Sequence, residues 1–424
     1  MLESLRLKNV GPAPEMALDL APRLNLITGD NGLGKSFLLD VAFWALTRRW
    51  PAEVNPALTS GQIARPRGSG PASIGFSFQA SSTAARHTST FDRESQAWSS
   101  SRGRPGNPGL VVYAQVDGGF SVWDPARNYW RTKAGEDAPA RQPAYVFTAR
   151  QVWEGLRRTS INTVVEEVQL CNGLLTDWAL WQSEGGRAFG VLKETLLRMS
   201  PSENDRLEPG DLVKLSLDDS RRIPSLRTRY GLDVPVLMAS AGVRRIIALA
   251  YLLVWAWEEH VAASALLDQP PTNQVTFLVD EIESHLHPRW QRTVVGALLG
   301  VVQTLAADAS VQLICATHSP LVLASVEPIF DETRDAWFDL DLRDDETHQG
   351  VVELRRRPFV RRGDASHWLT SEAFDLATGG RSIVAERAIT SAMTMLEEPA
   401  PSWVAIDRID QALRDARLPD LDPF

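Results

Sequence analysis

Cysteine is nearly absent from this chain. Two cysteines among 424 residues, Cys171 and Cys315, stand far apart with no metal-ligand spacing. That excludes a disulfide framework and a cysteine-based zinc site, and both thiols read as reduced packing residues of a cytosolic protein. Long apolar runs are also missing. The longest, Ile246–Trp257, has 12 residues and ends at Glu258-Glu259-His260. A membrane span needs about 20, so the run reads as a buried helix and no membrane partner is expected. Met1–Lys8 alternates apolar and charged residues, as a strand does and a signal peptide does not. Nor is there an excess of positive charge. Lys and Arg number 44 against 53 Asp and Glu, a net charge of −9. This argues against a generally basic nucleic-acid binder but leaves room for a local basic groove. No internal repeat is visible, and no heptad run is long enough for a coiled-coil arm.

What is present is ordinary globular material, 44% apolar and 23% charged, in a length that allows two or three domains. The 14 tryptophans read as core and subdomain packing. Strands are expected at 2–8 and 17–28 and a helix over Ser36–Trp50, followed by a Pro/Gly/Ser-rich loop over Pro51–Pro71. Alternating or β-branched stretches at 73–79, 88–92, 110–124 and 143–148, with Asp117-Gly118-Gly119 as a hairpin turn, predict an antiparallel subdomain. Ser99–Pro108 reads as a mobile loop. Helical spacing is expected over Gln151–Arg158, Thr163–Trp181 and Arg187–Met199. A mixed stretch, Leu207–Val236, leads to an apolar helix from Val243 to about Leu267. Then come a strand (Val275–Val279), a helix (Arg289–Ala306) and a strand (Val311–Thr317). Strands at 335–341 and 350–356 and helices at Ser382–Glu398 and Trp403–Arg417 complete the reading.

Four clusters carry chemistry. Gly29-Asp30-Asn31-Gly32-Leu33-Gly34-Lys35-Ser36 fits G-x-x-x-x-G-K-[ST] between a predicted strand and a predicted helix. Glycines let backbone N–H groups turn inward around phosphate oxygens, and the helix N-terminus adds positive potential. Lys35 would reach the β- and γ-phosphates of ATP, and the Ser36 hydroxyl would ligate Mg²⁺. The second cluster, Val275–Val279 followed by Asp280-Glu281, describes a buried strand whose end projects two acids. Many strands end in acids, but downstream of a P-loop the pattern is specific. Asp280 would hold the Mg²⁺ shell and Glu281 would orient the attacking water. The third is Ala316-Thr317-His318-Ser319-Pro320, one helix and one strand further on. The fourth, Ser240-Ala241-Gly242, stands directly before the apolar helix, where a Ser and a Gly make either an ordinary N-cap or a second anion site.

Together these residues resemble the ABC-ATPase superfamily, and most of all its stand-alone AAA/ABC branch related to the OLD, RecF-like and SMC-like proteins. Asp280-Glu-Ile-Glu-Ser-His-Leu-His-Pro288 and Ala316–Pro320 are particularly similar to that branch, and the resemblance covers roughly residues 1–330. It implies an ATP-sandwich homodimer in which the P-loop of one subunit and the Ser240/Gly242 signature of the other grip each ATP. It implies that His318 contacts the γ-phosphate and that Glu283–His287 forms a loop crossing the dimer interface. It also implies a glutamine linking metal and helical subdomain, for which Gln151 is the first candidate and Gln115 the second. The signature lacks the Ser-Gly-Gly-Gln form of membrane transporters, and the coiled-coil arm of SMC-like proteins is missing. Asp339, Asp341, Asp344 and Asp345 do not form the acidic arrangement of a fused Toprim nuclease. Leu369–Asp375 and the helix after it resemble the C-terminal part of ATPases in bacterial antiphage systems such as Septu.

The expected fold is therefore α/β. An N-lobe (1–149) would hold the P-loop and the antiparallel subdomain, and a helical subdomain would fill 150–235. A C-lobe (236–330) would hold the signature, the Asp-Glu strand and the histidine, with a C-terminal cap over 331–424. The expected function is a slow ATPase that controls a separate effector, such as a nuclease, in antiphage defence. The alternative is a repair or chromosome-maintenance ATPase that clamps nucleic acid itself. Arg355–Arg362 holds five arginines in eight residues. These either meet a phosphate backbone or pair with acids along a strand edge.

Overall fold

The computed structural model describes residues 1–79, 84–99, 106–129, 141–161, 165–305, 309–344, 350–374, 376, 382–396 and 402–416. Asp345, Asp375, residues 100–105 of the expected Ser99–Pro108 loop, and the expected helix ends at Thr163, Ala306, Glu398 and Arg417 lie outside these. The chain forms two units, Met1–Val360 and Arg361–Phe424.

The first unit opens with β1 (Leu2–Lys8) and β2 (Glu15–Asp19), an antiparallel pair, and then β3 (Leu24–Gly29), buried throughout. The expected strand over 17–28 thus divides at Leu20–Arg23. Helix α1 (Lys35–Thr47) follows the P-loop and ends where Arg48 turns left-handed, shortly before Pro51 and the short α2 (Pro51–Val54). Strands β4 (Ser73–Gln79), β5 (Ala84–Asp92) and β6 (Ala97–Trp98) join the first pair in a sheet of order β2-β1-β4-β5-β6. Helix α1 contacts this sheet through β1 and the central sheet through β3. Leu38, Leu39, Phe43, Trp44 and Leu46 are buried in the core it shares with both. Each such side chain contributes roughly 1.5–3 kcal/mol, and Phe43→Ala should cost about 3–5 kcal/mol.

Next come β7 (Leu110–Ala114), β8 (Phe120–Trp123), the short α3 (Pro125–Asn128), β9 (Tyr145–Phe147) and α4 (Ala149–Glu154). The hairpin predicted at Asp117–Gly119 joins β7 to β8. These strands do not belong with β4–β6 in one antiparallel subdomain, as the alternation suggested. Instead β7 pairs in parallel with a later strand, and β8 and β9 extend that sheet.

The region expected to be helical from 150 to 235 is mixed. After α4 the chain forms a hairpin of β10 (Leu156–Ile161) and β11 (Val165–Cys171), bracketed by Gly155 and Gly173. Helices α5 (Leu174–Glu184) and α6 (Arg187–Arg198) follow, then a small sheet of β12 (Glu208–Pro209), β13 (Ser225–Arg227) and β14 (Asp233–Pro235). Helix α7 (Ala241–Leu266) is long and largely buried. Among the described residues it is the one helix long and apolar enough to cross a membrane, and 72% of its apolar window is inside the protein.

The remainder of the unit is β15 (Gln274–Val279), α8 (Pro288–Gln291), α9 (Val294–Leu305), β16 (Ser310–Ala316), α10 (Pro320–Val326), β17 (Asp335–Asp344) and β18 (Gly350–Arg357). The central sheet has the order β18-β17-β3-β16-β15-β7-β8-β9. It is parallel from β17 to β7 and antiparallel at both margins. Residues 335–357 were expected in a separate C-terminal region from 331, yet they complete this sheet. The second unit holds α11 (Ala365–Leu369), α12 (Ile383–Leu396) and α13 (Trp403–Asp415), with α12 packed on α13.

Candidate functional site

Four neighbouring parallel strands end in register, and each delivers one candidate. Ala114 on β7 pairs with Val279 on β15, Val279 with Cys315 on β16, and Ala316 with Ile27 on β3. The P-loop therefore leaves β3, the His318 loop leaves β16, Asp280 and Glu281 leave β15, and Gln115 leaves β7, each about 4.8 Å from the next. In an open α/β sheet the carboxyl ends of the strands are where ligands bind.

The P-loop backbone needs its glycines. Gly29 and Gly34 have φ of 132° and 104°, and a Cβ on Gly29 would stand 2.2 Å from the Leu340 carbonyl oxygen. At Gly32, by contrast, an added Cβ would meet nothing within 4 Å. Asn31 and Gly32 are exposed and face open space, whereas Leu33 anchors the loop in the core. Helix α1 starts with no side-chain cap and no acid in its first turn. Its free N–H groups and dipole are left for an anion. Lys35 Nζ donates to the carbonyls of Gly29 (2.7 Å) and Asp30 (2.8 Å). Burial lowers its pKa, opposed by the charges of Asp280, Glu281, Glu283 and Asp30.

Asp280 is 1% exposed, and neither of its carboxylate oxygens has a hydrogen bond of good geometry. Burial pushes its pKa up to about 6, the nearby Ser36 hydroxyl favours the ionised form, and Glu281 opposes it. A buried carboxylate without partners is costly unless a cation satisfies it. This pair of oxygens beside a Ser hydroxyl fits a hard, oxygen-seeking divalent ion such as Mg²⁺. Glu281 is half-buried and held at φ 43°, a left-handed conformation uncommon outside glycine. His318 is half-buried, and its pKa is lowered first by burial and then by Lys35. Its neutral form is thereby favoured at neutral pH.

Ser240 is exposed and caps α7, accepting a hydrogen bond from Val243 N–H (3.4 Å). A hydroxyl can accept there and still donate outward. Gly242 is packed so tightly that a Cβ would stand 2.5 Å from the His285 carbonyl oxygen.

Of the two candidate glutamines, the first choice is engaged in a helix cap. Gln151 Oε1 accepts from Thr148 N–H (2.9 Å) and from Asn55 Nδ2 (2.8 Å), forming the capping box that starts α4. It follows β9, three strands from β15, or about 14 Å away. Gln115, the second candidate, is fully buried at the end of β7, and Asp280 N–H donates to Ala114 beside it (2.9 Å). A sequence signal existed: Gln115 follows the apolar run Leu110–Ala114, as Asp280 follows Val275–Val279.

Two residues had been given no individual role, Glu283 being named only as the first of the loop Glu283–His287. Arg245, buried in the first turns of α7, donates to the carbonyls of Gln115 (2.9 Å) and Asp280 (3.5 Å). Glu283, whose pKa is raised by burial, accepts from Thr317 Oγ1 (2.7 Å) and from the His318 N–H. Nothing in the spacing distinguishes either from a surface charge.

The family model described as "AAA domain, putative AbiEii toxin, Type IV TA system" matches residues 24–324, more than half of the chain. The chain belongs to this AAA family. The matched span runs from β3 to α10 and so takes in all four strand ends. It contains the P-loop Gly29–Ser36 and the strand end Asp280-Glu281, the two clusters that mark a nucleotide-binding AAA protein. The chain is 27% identical over 136 residues to the Retron Vc95 probable ATPase of Vibrio cholerae serotype O1 biovar El Tor. That match covers 32% of this chain and 25% of the relative, so the chain spans about a quarter of the relative's length. Among solved structures, the SMC head domain from Thermotoga maritima aligns at a TM-score of 0.38 and 13% identity, over 84% of this chain and 99% of that one. The SmcHead bound to the C-winged helix domain of ScpA aligns at 0.44 and 13%, over 84% and 97%.

Proposed function

We propose that this AAA protein binds ATP with Mg²⁺, dimerises on it, hydrolyses it slowly, and thereby controls a separate effector, such as a nuclease, in bacterial antiphage defence. The observation that carries the ATPase reading is the register of β3, β16, β15 and β7, which gathers Lys35, Ser36, Asp280, Glu281 and His318 at one edge. The defence reading draws support from the retron relative.

In this reading the N–H groups from Gly29 to Ser36 and the Lys35 ammonium bind the phosphates. Ser36 and Asp280 hold Mg²⁺, which supplies charge neutralisation at the phosphate oxygens. Gln115 is the proposed glutamine of the site, in place of Gln151. Glu281 positions and polarises water, and His318, neutral, donates a hydrogen bond toward the terminal phosphate. Ser240 and Gly242 complete the second copy's site.

The test is purification of the Glu281→Gln protein from the cell that encodes it, in ATP and Mg²⁺, with the Lys35→Ala protein in parallel. The expected result is a second protein bound in fixed ratio to the first variant and absent from the second, with an activity in cells that changes with Lys35→Ala. A bare dimer, or one carrying only nucleic acid, contradicts the effector reading.

One observation favours a second reading, a direct nucleic-acid clamp. Arg356 and Arg361 are exposed, although Arg355 pairs with Glu353 (2.6 Å) and Arg357 with Asp339 (3.6 Å). DNA retention by the purified protein that requires ATP and falls steeply with salt would support it.

A further inference from the structure

His318 sits between two ties that end on the same neighbouring loop. On one side, Glu283 accepts from Thr317 Oγ1 (2.7 Å) and from the His318 N–H itself. On the other, Ser319 Oγ donates to Gln291 Oε1 (2.7 Å), and Gln291 Nε2 donates to the Leu286 carbonyl (2.9 Å). The backbone adds a bond from Ile282 N–H to the Ala316 carbonyl (3.2 Å). Thr317 and Ser319 are buried while Glu283 and Gln291 are half-buried, so the bonds on both flanks of the histidine are partly screened from water. Hydrogen bonds to a carboxylate in such a place are strong and directional. These side-chain bonds lie outside the strand ladder, since β15 stops at Val279 and β16 at Ala316. The far face of the same loop meets the start of α7, where the His285 carbonyl leaves no room for a Cβ on Gly242.

We propose that Glu283 and Gln291 are positioning residues that clamp the His318 loop to the 283–287 loop, so that the histidine, this loop and the first turn of α7 move as one piece. The proposal rests on the ATPase reading above. A change at His318 would then pass to Ser240 and Gly242 within one protomer, with no need for a contact between the two.

The test combines steady-state kinetics with NMR of histidine-labelled, nucleotide-free protein, using Glu283→Gln, Glu283→Ala, Gln291→Ala and the Ala double variant. His318→Gln assigns the resonance. In the Ala variants the His318 imidazole signal is expected to shift and broaden while the buried His260 signal stays in place. ATP binding and KM should remain within about threefold while kcat falls on the order of 10²-fold. The double variant should lose less than the sum of the singles, because both act through one loop. Glu283→Gln keeps the shape and one acceptor, so its loss should be intermediate, and it decides the matter if Glu283→Ala fails to fold. An unmoved His318 signal with native kcat, or a raised KM at constant kcat, would overturn the clamp. Should the wild-type protein neither bind nor hydrolyse ATP, the ATPase reading fails, and the NMR comparison still decides the clamp.

Discussion

At Asp280 the fold holds a carboxylate out of water and gives neither oxygen a hydrogen bond of good geometry. Its pKa rises from 3.8 to about 6. The folded protein therefore binds a proton that the unfolded chain has released, and stability falls as pH rises from about 4 through about 6. Above that window the ionised group costs the metal-free protein on the order of 3 kcal/mol. Asp280→Asn is expected to raise the melting temperature above about pH 6, lessen the pH slope between about pH 4 and 6, and weaken Mg²⁺-dependent ATP binding, while buried Asp40, raised to about 7, keeps part of the slope. Melting curves across pH, with and without Mg²⁺-ATP, check this. An unchanged slope would mean that the carboxylate is satisfied within the protein. Two other residues separate binding from chemistry. Lys35→Ala should abolish ATP binding. Glu281→Gln should keep binding and slow phosphate release by about 10²–10⁴-fold, measured by calorimetry and single-turnover assays.

Elements whose pattern repeats their environment were readable from the sequence. Helix α1 announces itself by Gly34-Lys35-Ser36 and an apolar body, and β15 by four apolar residues among the five before two acids. The hairpin of β10 and β11 was not readable. Its apolar residues also fit a helical period, and the antiparallel pairing of Leu156–Ile161 with Val165–Cys171, with Gly155 packed against Cys171 and Asn172 at its base, shows the strands. Likewise β7 alternates with β8 as any hairpin would, and its parallel partner lies more than 150 residues away. The choice of Gln151 over Gln115 followed sequence distance, whereas strand order puts Gln115 next to Asp280. Gln151→Ala is expected to cost up to about 1 kcal/mol in denaturant unfolding, through loss of the capping box, and to leave ATP turnover unchanged. Gln115→Ala should lower turnover. The reverse pattern would restore Gln151.

At the scale of the molecule, one edge of the central sheet carries the P-loop, both acids and His318, while Ser240 and Gly242 stand at the start of a separate helix, α7. Strands β17 and β18 extend that sheet, so the sequence-based boundary at 330 cut through a single layer. The motifs were legible because phosphate chemistry fixes their residues. Strand order was not legible, since it depends on pairing between distant segments. A second copy of the chain is the proposed partner for Ser240 and Gly242. Ser240→Arg is therefore expected to spare ATP binding by the monomer and block ATP-driven association, as seen by light scattering. Native mass spectrometry of the purified Glu281→Gln protein with and without Mg²⁺-ATP tests the central claim most directly. The account expects monomers without nucleotide and, with it, a dimer carrying two ATP molecules. A protein that stays monomeric, or binds no ATP, would contradict it.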